Sequence, residues 1–147
     1  MDSFALHTDK YQVNMMYAHW KNGDHESRCV FDLYFRELPF NNGFAVFAGL
    51  EQVISYLSNL RFTEEDIQYL REAEEHYDEG FLQALRDWRF TSDVYAMPEG
   101  SLVFPNEPLI RVEGSIFQIQ LIETALLNMI NYQTLIATKA ARIRHIA

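Results

Sequence analysis

A tyrosine near the start of the chain is the first candidate for chemistry. The pattern over Thr8–Asn22 predicts a helix with Thr8 as its N-cap, Asp9 in its first turn and Gly23 as its left-handed end. The apolar face of this helix comprises Val13, Met16, Tyr17 and Trp20. Tyr11 lies roughly opposite, on a second surface that also carries Gln12, Met15 and His19. Its ring is placed either to stack on a flat heteroaromatic ligand or to pack on another subunit, although an ordinary exposed tyrosine fits equally well.

The histidines, the cysteine and the common catalytic spacings predict no catalytic residue and no metal ligand in this chain. Five histidines occur, at 7, 19, 25, 76 and 145, and no two stand at metal-ligand spacing on one predicted helix. There is no P-loop, GxGxxG, HExxH or GxSxG motif and no pair of cysteines for zinc. Cys29 shares an apolar strand face with Phe31 and Phe35 and has no cation nearby in sequence, so an inert thiol is expected.

A polar stripe interrupts a helix that is otherwise apolar nearly all round, predicted over Ile116 to about Tyr132. The stripe comprises Gln120, Glu123, Thr124, Asn128 and Asn131. Because buried polar groups need hydrogen-bond partners, the stripe indicates either an internal network or a contact with protein beyond this segment.

Charge is unevenly distributed along the chain. Eight acids and one arginine, Arg71, lie between Glu64 and Glu79, and solvated helix faces explain them more simply than a metal site or a docking patch for a basic partner. The helical stretch at the end of the chain is cationic, with Lys139, Arg142, Arg144 and His145, and no acid follows Glu123. These cations suit either a phosphate group or the C-terminus of their own helix.

The remaining elements alternate short strands with helices. Besides the two helices above, the pattern predicts a strand over Arg28–Arg36 and a turn over Pro39–Gly43. Three further helices are predicted: one carrying Val53, Ile54 and Leu57, one begun by a Thr63–Asp66 capping box, and one over Gly80–Trp88. Three extended pieces follow over Val94–Met97, Leu102–Phe104 and Leu109–Glu113. The three extended pieces suggest a small β-meander. The fold class expected is α+β, with helices packed on a small, mostly antiparallel sheet.

Composition limits the partners and the setting. The chain has 147 residues, of which 48% are hydrophobic, so it can bury the core of one domain. A net charge of −9 argues against nucleic acid and anionic membranes as partners. The single cysteine and the absence of a signal-peptide pattern predict a cytoplasmic protein. Helical periodicity continues to Ala147, which led us to expect a fragment, residues 1–147, whose last helix leads into a further domain.

Four long segments together resemble the N-terminal portion of the nicotinate phosphoribosyltransferases. They are LHTDKYQVNMMYAHWKNG, VFDLYFRELPFNNGFAVFAGLE, PEGSLVFPNEPLIRVEG and QLIETALLNMINYQTLIATKAARIR, and they occur in the family's order. The resemblance implies the N-terminal α/β domain of a type II phosphoribosyltransferase without its irregular α/β barrel. It also implies an enzyme of NAD salvage that joins nicotinate to 5-phosphoribosyl 1-diphosphate and couples this reaction to ATP hydrolysis. The full-length enzyme is further expected to use Mg²⁺ and to form a homodimer.

The resemblance assigns one ligand contact to this chain. The tyrosine of the family's TDxYQ motif contacts nicotinate, and here Thr8, Asp9, Tyr11 and Gln12 spell that motif. Lys139 and Arg142 lie in the family's ATxAAR segment. Thr8, Asp9, Gln12, Lys139 and Arg142 are therefore candidates for the phosphate side of the site or for an interface. The family's catalytic groups belong to the barrel, so this chain alone is expected to be inactive and to bind no ATP or Mg²⁺.

Two other functions stay open at this stage. Within the same clan, a nicotinamide- or quinolinate-using relative would differ in barrel residues outside this sequence. From another class, the chain could be a non-catalytic interaction module that uses its acidic helices to bind a basic partner.

Overall fold

Five α-helices and five short strands make up the part of the chain that the computed structural model describes, residues 4–41 and 43–146. The helices are α1 (Lys10–Asn22), α2 (Leu50–Asn59), α3 (Glu64–Arg71), α4 (Glu79–Asp87) and α5 (Ile116–Ile146). The strands are β1 (Arg28–Leu33), β2 (Ala45–Val46), β3 (Asp93–Ala96), β4 (Leu102–Val103) and β5 (Ile110–Ser115), and a 3₁₀ turn covers Pro39–Asn41. The α+β class predicted from the sequence is confirmed.

All strand pairs are antiparallel and form two small sheets. The first has the order β1-β5-β3, with Leu33 opposite Ile110 at one end of the β1–β5 ladder. The second consists of β2 and β4. The apolar face predicted for the first strand is confirmed, because Cys29, Phe31 and Leu33 are buried or half-buried while Val30 and Asp32 are exposed.

The long helix α5 organises the domain. It packs against α1, α2, β1, β2 and β5, so it contacts both sheets and two of the other helices. An aromatic cluster joins α1 to α4 beside it, with Tyr17, Trp20, Tyr77 and Phe81 in mutual ring contact. Helix α1 therefore lies between α5 on one side and α4 on the other. Among the described helices, none combines the length and the apolar character needed to cross a membrane.

Local signals for helix ends are confirmed where the whole motif lies within a few residues. Gly23 ends α1 in the left-handed region, with φ 75°. Thr63 and Asp66 form a complete capping box at the start of α3. The helix predicted over Gly80–Trp88 is α4, shifted by one residue. The turn predicted over Pro39–Gly43 contains a 3₁₀ turn, and its residue 42 lies outside the described residues.

Two predictions about single elements are wrong because a tertiary contact competes with the local pattern. Thr8 is not the N-cap of α1; Asp9 occupies that position, and the Thr8 hydroxyl donates to the carbonyl of Leu121 at 3.0 Å. The first strand ends at Leu33 and not at Arg36. The opposing chain there includes Pro108, which has no N–H to extend the ladder.

The predicted β-meander is also wrong. β3 and β5 pair with each other directly, and the middle piece, β4, pairs with β2 in the other sheet. The turn before β4 is held there by Glu99, whose carboxylate accepts hydrogen bonds from the backbone N–H groups of Gly49 and Leu50 at 2.8 and 2.9 Å. The Glu99 carboxylate is stabilised at the positively polarised start of α2, and this contact keeps the segment that contains β4 beside β2 and not beside β3.

The helix predicted over Ile116 to about Tyr132 continues into the helical stretch predicted at the end of the chain. α5 runs unbroken from Ile116 to Ile146, so the apolar helix and the cationic end of the sequence are one element of 31 residues. Ala147, to which the predicted helix extended, lies outside the described residues.

Candidate functional site

The N-terminus of α1 is bound to the first turns of α5 by three side chains of the TDKYQ motif, Thr8, Asp9 and Gln12. The Thr8 hydroxyl donates to the Leu121 carbonyl, as described above. The Thr124 hydroxyl donates to Oδ2 of Asp9 at 2.9 Å and accepts weakly from the Asp9 backbone N–H at 3.4 Å. Thr8 and Asp9 therefore use their polar atoms within the domain, where they fix the position of the first turn of α1.

Gln12 is the centre of a buried hydrogen-bond network. It is fully buried, against the expectation that it shares the open surface of Tyr11. Its Nε2 donates to Oε2 of Glu123 at 2.9 Å and to the hydroxyl of Tyr11 at 2.9 Å. Its Oε1 accepts from Nε2 of the buried Gln120. Three of the five residues of the polar stripe, Gln120, Glu123 and Thr124, are thus bonded within the domain, while Asn128 and Asn131 are exposed.

Tyr11 combines an exposed ring with a fixed hydroxyl. The residue is 52% exposed, and the prediction that it points away from the core is confirmed. Partial burial, together with the negative charges of Glu123 and Asp9, raises the pKa of the Tyr11 phenol. The phenol is therefore neutral at physiological pH and keeps its O–H as a hydrogen-bond donor.

An open, mostly apolar groove begins beside this network. Its volume is about 1090 Å³, and it lies between α5 and the chain from β1 to Pro39. Its walls include Phe31, Leu33, Phe35, Ile122, Leu126 and Leu135. Glu123 lines the groove and also accepts from Gln12, so the groove and the Tyr11 network share one wall residue.

Lys139 and Arg142 lie far from Tyr11. At 1.5 Å per residue, the 16 residues from Glu123 to Lys139 span about 24 Å of α5. Lys139 is exposed and makes no hydrogen bond or ion pair with a described residue. Arg142 donates to the carbonyl of Phe40 at 3.1 Å and lies over its ring, 5.4 Å from the centroid. The structure does not bring these cations together with the TDKYQ residues.

The acidic helices are already paired within the domain. Six of the eight acids between Glu64 and Glu79 have a side-chain partner: Glu64 with Arg86, Asp66 with Thr63, Glu72 with Gln68, Glu75 with Lys10, Asp78 with Lys21 and Glu79 with Arg71. The bonded partners hold the pKa values of the Glu75, Asp78 and Glu79 carboxyls below their usual range. A basic partner would have to replace these contacts, which disfavours the interaction-module hypothesis.

Other reactive side chains form no site among the described residues. Burial raises the pKa of the Cys29 thiol, which fits an inert thiol and not a nucleophile. Within residues 4–41 and 43–146, no three histidine, cysteine, aspartate or glutamate side chains are arranged to hold a metal ion.

The contact of Gln12 on α1 with Gln120 and Glu123 on α5 was not predicted from the sequence. The polar stripe on α5 and the TDKYQ motif on α1 were both noted, but the pattern alone did not place Gln120 and Glu123 against Gln12. The usable signal is their spacing of three, which puts both side chains on the same face of α5.

Comparison with known proteins agrees with this architecture. Residues 6–131 match the family model of the nicotinate phosphoribosyltransferase (NAPRTase) N-terminal domain. The chain is 57% identical over 143 residues to the nicotinate phosphoribosyltransferase of Bacillus subtilis, covering 97% of this chain and 29% of that protein. It is 48% identical over 143 residues to nicotinate phosphoribosyltransferase 2 of Arabidopsis thaliana, covering 97% and 26%.

A solved structure gives the same result for the fold. The crystal structure of human nicotinic acid phosphoribosyltransferase superposes with a TM-score of 0.88 at 39% identity, covering 95% of this chain and 28% of the human chain. This chain therefore spans less than a third of the length of the relatives it matches. Since the family model covers most of its residues, the chain belongs to the nicotinate phosphoribosyltransferase family, in which it corresponds to the N-terminal domain.

Proposed function

We propose that this chain serves as the N-terminal part of an enzyme that joins nicotinate to 5-phosphoribosyl 1-diphosphate. The products are nicotinate mononucleotide and diphosphate, and the reaction is coupled to ATP hydrolysis in NAD salvage. The observation that carries the proposal is the family match, with Tyr11 of the TDKYQ motif exposed beside an uncovered groove.

Within that reaction, Tyr11 contacts nicotinate. The reaction displaces diphosphate from an anomeric carbon, so the pyridine nitrogen must be held in line with that carbon. The exposed ring of Tyr11 offers a flat surface for a pyridine ring. Thr8, Asp9 and Gln12 support the ring through their bonds to α5.

The groups that absorb the charge of the departing diphosphate belong to the rest of the enzyme. ATP, Mg²⁺, a homodimer and a cytoplasmic setting are parts of the proposal that rest on the family. Lys139 and Arg142, at the far end of α5, are proposed to lie at an interface with a further domain.

The groove is proposed to be covered by that further domain. Its walls are largely apolar, and the second half of α5 exposes Leu135, Ile136, Ile143 and Ile146. Apolar surfaces of this extent are commonly buried by other protein. Light scattering tests this point: the chain on its own should associate, and a monodisperse monomer would contradict the proposed cover.

A chimera tests the function itself. The chain replaces the matching 143 residues of the Bacillus subtilis relative, and steady-state kinetics with nicotinate and 5-phosphoribosyl 1-diphosphate are measured. An active chimera supports the proposal. A chimera that folds but cannot use nicotinate would contradict it.

The role of Tyr11 is tested in the same chimera. Tyr11→Ala should raise KM for nicotinate roughly tenfold while lowering the melting temperature only slightly, since the ring is exposed and the only bond lost among the described residues is the one that Tyr11 accepts from Gln12. Tyr69→Ala removes a similarly exposed tyrosine on α3 and should change neither quantity. An unchanged KM with a collapsed melting temperature for Tyr11→Ala would refute the assignment.

A further inference from the structure

The buried amide of Gln12 has its orientation fixed by its neighbours. A carboxylate can only accept hydrogen bonds, so the Gln12 nitrogen must face Glu123 and the Gln12 oxygen must face Gln120. One Nε2 hydrogen is used by Glu123, and the other points to the Tyr11 hydroxyl, with 2.9 Å between the nitrogen and the phenol oxygen. Both amide hydrogens are therefore committed, and the side chain cannot flip without losing two hydrogen bonds.

This orientation determines what the Tyr11 hydroxyl can do. The phenol oxygen accepts from Gln12, so its own hydrogen must point elsewhere. Among the described residues, no atom accepts that hydrogen. Tyr11 is half-exposed, so the O–H is left as a donor for a group outside the domain.

We propose that Gln12 is a positioning residue that, clamped by Gln120 and Glu123, holds Tyr11 so that its O–H donates to a hydrogen-bond acceptor of the substrate. This deepens the proposed function and rests on it, because the substrate is the ligand assigned to Tyr11 there. The partner atom is an oxygen of the substrate, because the lone pair of the pyridine nitrogen forms the new bond to the anomeric carbon.

The charges around the network favour the same outcome. The groups that face the phenol are the Glu123 carboxylate from α5 and the Asp9 carboxylate from the start of α1. Negative charges disfavour ionisation of a nearby phenol, so Tyr11 stays a donor throughout the physiological pH range. The Glu123 charge is itself stabilised by the Gln12 amide.

The competing explanation is that Gln12 only fills the core. A buried glutamine can be retained because its hydrogen bonds satisfy neighbouring polar groups, without any effect on a ligand. The two explanations differ in whether a change remote from Tyr11 alters the state of the Tyr11 phenol.

NMR of this 147-residue chain with 13C-labelled tyrosine distinguishes them without any substrate. The resonance of the phenol carbon Cζ of Tyr11 is assigned by its loss in Tyr11→Phe, and it reports the hydrogen bond that the phenol accepts. Gln12→Met should shift this resonance at neutral pH. It should also raise the pKa of Tyr11, because the Gln12 amide stabilises the ionised phenol by donating to it and this variant lacks that donor. Gln120→Met, which touches Tyr11 only through Gln12, should shift the resonance in the same direction and by less.

A matched variant controls for general loosening of the helix. Gln133 donates to Gln52 on α2, so Gln133→Met breaks a second glutamine pair on α5, remote from Tyr11. It should leave the Tyr11 resonance and titration unchanged. If Gln12→Met does not fold, the result for Gln120→Met decides between the positioning role and the core-filling role. An unmoved Tyr11 resonance in the folded variants would overturn the proposal and favour the core-filling role.

Kinetics of the chimera then link the positioning to the substrate. Tyr11→Phe and Gln12→Met should each raise KM for nicotinate roughly two- to tenfold, the effect of one lost hydrogen bond, with kcat changing less. Gln133→Met should leave KM unchanged. An inactive chimera with shifted Tyr11 resonances would refute the proposed function and leave the positioning intact, whereas an active chimera with unshifted resonances would refute the positioning alone.

Discussion

The two halves of α5 lie in one continuous helix but in different surroundings. Residues 116–130 carry the apolar core of the helix, with Phe117, Ile119, Leu121, Ile122, Ala125, Leu126 and Ile130 all buried. In residues 131–146 the only described buried side chains are Thr134 and Thr138. The large apolar residues of this second half, by contrast, are exposed, and Ile143 is 60% exposed.

The contrast teaches that an apolar helical pattern does not reveal which protein surface will cover it. The first half of α5 is covered in part by α1, which is bound to it at Leu121, Glu123 and Thr124. Two threonine hydroxyls help to attach the second half: Thr134 accepts from the backbone N–H of Ala48 at 3.2 Å, and Thr138 from that of Val46 at 2.9 Å. We therefore expect the stability of this domain to depend on the two halves in different ways.

The largest expected effect separates two isoleucines on the same helix. Ile130 is fully buried, so Ile130→Ala should lower the free energy of unfolding by about 2–5 kcal/mol through lost burial and a cavity. Ile143→Ala removes the same atoms from an exposed position and should change it by less than about 0.5 kcal/mol. Urea denaturation of both variants measures the difference. Equal losses would contradict the division of α5 into a core half and an uncovered half.

A glycine tests how closely α2 approaches the boundary between the halves. Gly49, at the start of α2, has φ 111°, and a Cβ there would lie 3.2 Å from the carbonyl oxygen of Met129 and 3.2 Å from Cδ1 of Ile130. Gly49→Ala should therefore cost about 3 kcal/mol from backbone strain and crowding. Gly100 also has a positive φ, 82°, but has no atom within 4 Å of the corresponding point. Gly100→Ala should cost less, and the difference measured by denaturation isolates the contact with α5.

A threonine tests the polar attachment of the second half. The hydroxyl of the buried Thr138 accepts from the Val46 backbone N–H and donates to the Thr134 carbonyl at 2.6 Å. Thr138→Val keeps the shape but leaves the Val46 N–H without its acceptor, which should cost about 2 kcal/mol. Thr138→Ser restores the hydroxyl and should recover most of the loss. If valine and serine behave alike in thermal melts, the hydrogen bond contributes nothing and the attachment is apolar.

The sequence was sufficient where a structure depends on neighbours along the chain. The capping box of Thr63 and Asp66 and the left-handed end at Gly23 each involve residues within a few positions, so their chemistry is readable directly. The exposure of Tyr11 was also readable, because helical periodicity separates it from the apolar face.

The sequence was insufficient where a distant partner decides. Thr8 has the chemistry of an N-cap, but the Leu121 carbonyl, 113 positions away, takes its hydroxyl hydrogen. β4 leaves the predicted meander because Glu99 binds the start of α2. Gln12 was placed at the surface because its polar partners, Gln120 and Glu123, come from another helix. In each case the missing fact is which two elements pack together.

The smallest expected effect concerns a tyrosine at the boundary between the halves of α5. Tyr56 of α2 lines a second cavity, of about 640 Å³, together with Met129 and Tyr132. Its buried hydroxyl has no hydrogen-bond partner among the described residues, and burial raises the pKa of this phenol far above its ordinary value. Tyr56→Phe removes an unsatisfied polar atom and should therefore raise the free energy of unfolding by about 1 kcal/mol.

Denaturation of Tyr56→Phe beside Tyr77→Phe provides the comparison. The Tyr77 hydroxyl donates to the side-chain oxygen of Asn14 at 2.6 Å, so its removal should be destabilising. If Tyr56→Phe instead loses stability as Tyr77→Phe does, the Tyr56 hydroxyl must have a partner in solution. The cavity beside α5 would then contain a hydrogen-bond partner for this hydroxyl, and the surroundings of α5 near Met129 would be more polar than the buried first half of the helix suggests.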